Sequence, residues 1–348
     1  MPYYQPLRNL NDTERPRTIN NLLKLRHQLD RDIPQKTATD TLLLATWNIR
    51  KFDDKRMQES LHYIAEIVSR FDLIAIQEVA SNQKGLESLM GLLDYGWDYI
   101  YTDSTDGSAG GGERMAFLYD KSKISFKNMA GEIVLPKDKN SNKLIGGELQ
   151  FARTPYSVSF QAGWFKFILT TVHVFFGSTS STNLKRREEE IDSITSILSK
   201  RAKKEETSYI HLGDFNIPNV NDNTMKALEK YGFIVPADIK QHPTDLGGTK
   251  YYDQIAFNLK LKKNMTVFDE KEQKAGAFHF EETVYTEKDL DIYKDYFLDK
   301  ITGKTDAQIK TYYMSIWRTF QMSDHLPLWV ELKIDFSNQY LENLITEM

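Results

Sequence analysis

Asn48 directly follows the apolar run 42–47, Glu78 follows 73–77, Asp214 and Asn216 follow 209–212, and Asp324 and His325 immediately precede 326–332. Short apolar runs of this kind read as strands, so each of these polar groups stands at a strand end. Such groups can converge on one edge of a layered sheet although they lie far apart in the chain. In Gly213-Asp214-Phe215-Asn216 a carboxylate and an amide are two residues apart, and on an extended backbone both point to one face. One could hold a metal or activate water while the other donates to a phosphate oxygen. Phosphodiester hydrolysis needs this type of set: a hard cation to neutralise charge on the phosphorane, a base to prepare water, and an acid or second charge for the leaving oxygen. Singly, each residue also has an ordinary reading, Glu78 as a solvated strand-end charge, Asn48 as a turn residue and Asp324 as a cap. His173 and His211, taken alone, read as hydrogen-bonded core histidines within strands.

The elements that must position these groups follow from hydrophobic periodicity. Strands are predicted at 42–47, 73–77, 115–119, 165–174, 209–212, 252–257 and 326–332. Helices are predicted at 57–69, with Leu61, Ile64, Ala65 and Val68 on one face, and at 183–202, with Leu184, Ile191, Ile194 and Leu198. Several strands are apolar on both faces, as in a sheet covered on each side. Strands grouped between single helices imply an α/β fold of two packed sheets with helices outside. Residues 1–40 read as an N-terminal extension with a helix at 15–30, and 41–335 as the main domain. That domain carries a charged insertion at about 260–321, with helices at 287–299 and 306–319. The aromatics Tyr312, Tyr313, Trp317 and Phe320 of the insertion read as a packing face rather than a base-stacking platform. Stretches 104–112 and 137–147 read as loops of the kind that border sites.

Composition narrows the chemistry further. With 348 residues, 40% hydrophobic and 27% charged, the chain can bury a sizeable core. It contains no cysteine, so any metal must take oxygen or imidazole ligands, which favours hard cations. A formal net charge of -4 lacks the basic excess of proteins that hold nucleic acid by charge alone. A bound cation would still supply positive charge locally. No segment reads as a secretion signal or a membrane span, and the expected location is cytoplasmic, with no membrane and no obligate protein partner.

Five ordered strings carry a family resemblance: Thr46-Trp47-Asn48-Ile49-Arg50-Lys51-Phe52, Ile76-Gln77-Glu78-Val79, Gly213-Asp214-Phe215-Asn216, Tyr252-Asp253-Gln254-Ile255 and Ser323-Asp324-His325-Leu326-Pro327. Together they resemble the endonuclease/exonuclease/phosphatase superfamily, closest to deoxyribonuclease I, over roughly residues 42–332. The strings Glu113-Arg114-Met115-Ala116-Phe117 and Phe151-Ala152-Arg153-Thr154-Pro155 add to it. The resemblance implies a four-layer α-β-β-α sandwich of two mixed sheets flanked by helices. It also implies a Mg²⁺-dependent endonuclease acting on DNA, with Mn²⁺ or Ca²⁺ as other candidate ions. Glu78 would bind the metal with Asn48 and Asp324, while Asp214 and Asn216 orient water and the scissile phosphate. His173 would lean on Glu113 and His325 on Asp253. Arg50, Arg114 and Arg153 would contact phosphate, since a guanidinium matches two phosphate oxygens at once.

The chain also departs from deoxyribonuclease I. Ala80 stands where that enzyme has an arginine that enters the minor groove, Gly111 where it has a tyrosine, and Gln254 where it has an arginine. The changes at Ala80 and Gly111 leave two groove contacts missing. The same metal core would serve a phosphoesterase acting on lipid headgroups, inositol phosphates or protein–nucleic acid linkages. A catalytically inactive binding module would have no need to keep these acidic and imidazole groups together.

Overall fold

A computed structural model describes residues 2–105, 111–137, 150–261, 267 and 274–347, so much of the two expected loops lies outside the described residues. The seven predicted strands form β1 (Thr41–Phe52), β2 (Leu73–Ala80), β4 (Glu113–Asp120), β7 (Phe165–His173), β8 (Ser208–Asp214), β9 (Asp253–Asn258) and β11 (Leu328–Lys333). Four more join them: β3 (Trp97–Tyr101), β5 (Ile124–Glu132), β6 (Tyr156–Ala162) and β10 (Ala275–Ala277). One sheet runs β10-β11-β1-β2-β4-β3 and the other β5-β6-β7-β8-β9. Both are mixed, because β1 pairs with β2 and β7 with β8 in parallel while their other neighbours run antiparallel.

Helices cover both outer faces, giving an α/β sandwich. Leu42 and Leu44 of β1 enter the core between the sheets. Leu43, Ala45, Trp47 and Ile49 enter a second core shared with α1 (Glu14–Asp32), α2 (Gln58–Ser69) and α3 (Lys84–Leu92). On the other side α4 (Ser181–Glu205) lays Ile191, Ile194, Leu198 and Ala202 against the second sheet. Alternation along β1 therefore points even-numbered side chains toward the opposite sheet. Gln77 bridges the layers at this level, its amide nitrogen Nε2 donating to Thr46 Oγ1 at 3.1 Å and to Thr171 Oγ1 at 2.9 Å.

The segment 278–321 packs on α1 and α2 and reaches β1, where Phe280 meets Trp47 at 5.7 Å between ring centroids. Tyr285, Tyr293, Phe297, Tyr313 and Trp317 stack in one buried cluster, the packing face expected of Tyr313 and Trp317. The expected helix at 287–299 is instead a series of short turns, Glu287–Asp289, Leu290–Tyr293, Lys294–Phe297 and Leu298–Ile301. Phe297 leaves helical geometry at φ -140°, ψ 27°, which breaks the run. From 306 to 321 the helix is continuous but contains a widened turn at Tyr313–Trp317.

Candidate active site

The inward-facing rows of five strands carry polar groups to one edge of the sandwich. Inward parity carries Asn48 from β1, Glu113 from β4, His173 from β7, Asp214 from β8 and Asp253 from β9. Glu78 follows Ile74 and Ile76, which face the helices, so regular alternation would turn it away from the cleft. A register shift between Ile76 and Val79, with Glu78 at φ +59°, turns it back. Its Oε1 then accepts from Asn48 Nδ2 at 3.0 Å and its Oε2 from the Lys51 backbone N–H at 2.9 Å. Lys51 and Asn216 also hold positive φ, at +44° and +54°. A left-handed non-glycine residue costs on the order of 1–3 kcal/mol and persists where its surroundings fix it. Gly213 is required for a similar reason. Its φ is +133°, and a Cβ there would lie 2.2 Å from the Val172 carbonyl oxygen of the adjoining parallel strand.

Asp214, 1% exposed, lies at the centre. Its Oδ2 accepts from Asn48 Nδ2 at 2.9 Å, and its Oδ1 from the Asn216 backbone N–H at 2.8 Å. Two imidazoles approach the same Oδ2, His173 Nε2 at 3.5 Å and His325 Nε2 at 3.8 Å. Each imidazole is backed by a carboxylate on its far nitrogen. His173 Nδ1 is 3.0 Å from Glu113 Oε2, and His325 Nδ1 is 2.8 Å from Asp253 Oδ2. Glu113, His173, Asp214, His325 and Asp253 thus form one continuous row across the cleft.

Burial would push both imidazoles toward the neutral form, and Arg153 opposes the charge on His173 further. The carboxylates outweigh these effects. Glu113 and Asp214 raise His173 above its ordinary value, and Asp253, Asp214 and Asp324 hold His325 well above it. Burial likewise pushes Glu113 up, but His173 and Arg153 prevail and hold it down at about 2. Asp253 is fully buried, and desolvation raises its carboxyl against the pull of His325.

The remaining expected residues fall in different places. Arg153 makes a two-pronged contact with Glu113, Nε to Oε2 at 2.7 Å and Nη2 to Oε1 at 3.1 Å. Arg50 lies at the rim, its Nε 3.9 Å from Asp324 Oδ2, and the Asp324 carboxylate is about half exposed. Among the described residues the close carboxylate–imidazole groups are Glu78, Glu113 and His173, and Asp214, Asp253 and His325, and Asp324 is in neither. Asn216 acts on Asp214 through its backbone, while its side-chain amide donates to the Val174 carbonyl at 2.8 Å. Arg114 does not join the cluster. It follows Glu113 on β4 and so takes the opposite face, where it donates to the carbonyls of Thr102 at 2.8 Å and Ser81 at 3.3 Å. His211 is buried against Phe215 and Phe233, away from the cleft.

Three supporting groups escaped the sequence reading. Arg187 on α4, 1% exposed, donates to the carbonyls of Phe175, Phe176, Ser178 and Asn216, tying the loop after β7 to the loop after β8. Glu190, one turn later, accepts from the backbone N–H groups of Ala152 and Phe175. Ser323 accepts from the backbone N–H groups of Arg50 and His325 and donates to the Asn48 carbonyl at 2.6 Å. The signal for the first two was present: charged residues at 187 and 190 share the helical face of Ile191, Ile194 and Leu198.

The fold recurs in solved structures. A humanized Danio rerio TDP2 matches with TM-score 0.52 at 11% identity, over 85% of this chain and 99% of that one. An endonuclease/exonuclease/phosphatase protein of Bacteroides vulgatus matches at 0.53 and 14%, over 86% and 100%. A Bacteroides thetaiotaomicron mannosyl-6-phosphatase matches at 0.51 and 17%, over 84% and 99%. Identities this low establish the fold alone, and no curated protein sequence matches. The family model described as the endonuclease/exonuclease/phosphatase family matches residues 45–251, more than half of the chain. The chain therefore belongs to the endonuclease/exonuclease/phosphatase family, whose members are divalent-metal-dependent hydrolases of phosphoester bonds.

Proposed function

We propose that this protein is a divalent-metal-dependent phosphodiesterase that cleaves DNA, acting through Asp214 and the two imidazoles that flank it. The observation carrying this reading is the row Glu113–His173–Asp214–His325–Asp253, in which both histidines present Nε2 to one carboxylate. At 3.5 and 3.8 Å these nitrogens stand beyond ordinary hydrogen-bond distance from Asp214, so their N–H groups remain available to a substrate oxygen.

The residues present suit a hard cation. Asn48 Oδ1 is buried without a hydrogen-bond partner, on an amide whose nitrogen already serves Glu78 and Asp214. Glu78 and Asn48 would hold the ion with oxygen ligands, as Mg²⁺, Mn²⁺ or Ca²⁺ requires. When bound, the ion supplies charge neutralisation at the phosphate and a more acidic water. Asp214, fixed by Asn48 and by the Asn216 backbone, orients the attacking water and takes its proton. His325, kept cationic by Asp253, donates its Nε2 proton to a phosphate oxygen or to the departing alkoxide. His173 plays the matching part from the other side, and Arg153 keeps Glu113 ionised behind it. Arg50 at the rim contacts a neighbouring phosphate, with Asp324 holding its guanidinium. A poor alkoxide leaving group needs such an acid.

One observation favours a second reading, a smaller or protein-linked phosphoester. Gly111 stands where a duplex-gripping enzyme is expected to carry a tyrosine, and at φ +69°, with a Cβ 3.0 Å from Glu113 Oε1, a tyrosine there would be strained. Some proteins of this fold do act on small phosphates, as the mannosyl-6-phosphatase name states. A panel of supercoiled plasmid, single-stranded oligonucleotide, bis-p-nitrophenyl phosphate and p-nitrophenyl phosphate, run separately with Mg²⁺, Mn²⁺ and Ca²⁺, separates the two. Nicking of plasmid that stops with EDTA supports the DNA reading. Turnover of the monoester far faster than either diester overturns it.

A further inference from the structure

We propose that Thr319, at the end of the 278–321 segment, is a positioning residue that orients Arg50 and so sets how tightly the site grips a phosphate. The inference rests on the phosphodiesterase reading given above. It assigns to this segment a part in the active site that its packing on α1 and α2 does not require.

The Arg50 guanidinium has two neighbours. Nη1 donates to Thr319 Oγ1, and Nε faces Asp324. With its side chain 30% exposed, it is held in one direction but not sealed off. Thr319 Oγ1 can accept from Arg50 because its own proton goes to the helix, toward the carbonyls of Ser315 at 3.0 Å and Ile316 at 3.1 Å. A flexible arginine has many rotamers, and a fixed acceptor on one prong selects among them.

The helix carrying Thr319 is built unusually at this point. In the widened turn Tyr313–Trp317 the Arg318 backbone N–H bonds the Tyr313 carbonyl, one residue further back than in an α-helix. The Met314 carbonyl, deprived of that partner, accepts instead from the Arg318 side-chain Nε at 3.2 Å. Widened turns of this kind are frequent at functional sites. Just beyond it, the same segment grips the β1 exit at several further points. Gln321 Oε1 accepts from the Met57 N–H at 2.8 Å and from Ser60 Oγ at 3.0 Å, at the start of α2. Arg56, buried under the ring of Phe320, donates to the backbone carbonyls of Arg50 and Lys51. Arg50 is therefore fixed at its backbone by Ser323 and Arg56 and at its guanidinium by Thr319.

The test uses the full chain and bis-p-nitrophenyl phosphate as substrate, with inorganic phosphate as competitive inhibitor. In Thr319→Val the side-chain shape survives while the acceptor is lost. KM and the phosphate inhibition constant are expected to rise about tenfold with kcat within about twofold, as for loss of a single charge-assisted hydrogen bond used in binding. Thr319→Ser should restore both constants to near wild type, and a melting temperature within a few degrees of wild type shows the helix intact. In an Arg50→Met background Thr319→Val should have no further effect, because the two groups act as one. Unchanged KM and phosphate inhibition in folded Thr319→Val, or additive effects in the double variant, overturns the proposal. Failure of the wild-type protein to hydrolyse the diester with any divalent ion would instead refute the phosphodiesterase reading.

Discussion

Asp253→Asn tests the His325–Asp253 half of the proposed catalytic row. Asp253 is fully buried, and its Oδ2 lies 2.8 Å from His325 Nδ1. An amide of the same shape keeps the packing but carries no charge. Its N–H₂ can donate to Nδ1, which leaves the imidazole neutral with its one proton on Nε2. Removing one partner of a buried ion pair costs roughly 3–5 kcal/mol. If that stabilisation is spent on a cationic His325 in the transition state, at about 1.36 kcal/mol per power of ten, kcat falls by about two to four powers of ten. KM should change little, because ground-state contacts to the phosphate remain. The fold should survive, since His325 can release its proton and leave no isolated charge in the interior. Initial rates on bis-p-nitrophenyl phosphate across pH 5–9 measure kcat, and ¹⁵N NMR of the imidazole reports its tautomer and titration. A variant with kcat within about threefold of wild type, or a His325 that titrates as before, refutes the role given to the pair.

Gly213→Ala places a Cβ 2.2 Å from the Val172 carbonyl oxygen at φ +133°, and should destabilise the protein by at least about 3 kcal/mol in urea unfolding. His211 is buried with both ring nitrogens unpartnered, and burial lowers its pKa to about 3. Its folded value lies below its unfolded one, so stability is lost as pH falls from about 6.5 toward 3, at up to about 1.4 kcal/mol per pH unit. His211→Leu should therefore gain on the order of 2 kcal/mol at pH 5 and little at pH 8, measured by urea melts at both. Glu78→Gln should raise the Mg²⁺ concentration for half-maximal rate by at least about tenfold, read from rate against metal concentration. An unchanged metal requirement would remove Glu78 from the ion's ligands.

Much of the sandwich was legible because its central strands are continuous apolar runs covered on both faces, as β1, β2, β7 and β8 are. The strands that escaped notice lack that signature. In β5 most side chains are exposed, and β10 has three residues. β6, Tyr156-Ser-Val-Ser-Phe-Gln-Ala162, does alternate strictly, a period-two signal that a search for continuous runs passes over. The site was legible to the extent that parity along a strand decides direction. Parity places Glu113 inward and Arg114 outward, a distinction that motif matching alone does not make. It fails at Glu78, where a left-handed residue redirects the side chain, and nothing in Gln77-Glu78-Val79 announces that turn. Thr319 was hidden for another reason. It acts on Arg50, 269 residues away in the chain, and such a contact exists only once the layers have packed.

The most direct test of the central claim is the rate of bis-p-nitrophenyl phosphate hydrolysis as Mg²⁺ or Mn²⁺ is titrated into wild-type protein and into Asp214→Asn. Asp214 receives Asn48 and faces both imidazoles, so its charge joins the metal side of the cleft to the histidine side. Saturable, EDTA-sensitive hydrolysis by the wild type is expected, with a loss of about three powers of ten or more in the variant at every metal concentration. Metal-independent hydrolysis, or a variant that matches the wild type once metal is saturating, contradicts it.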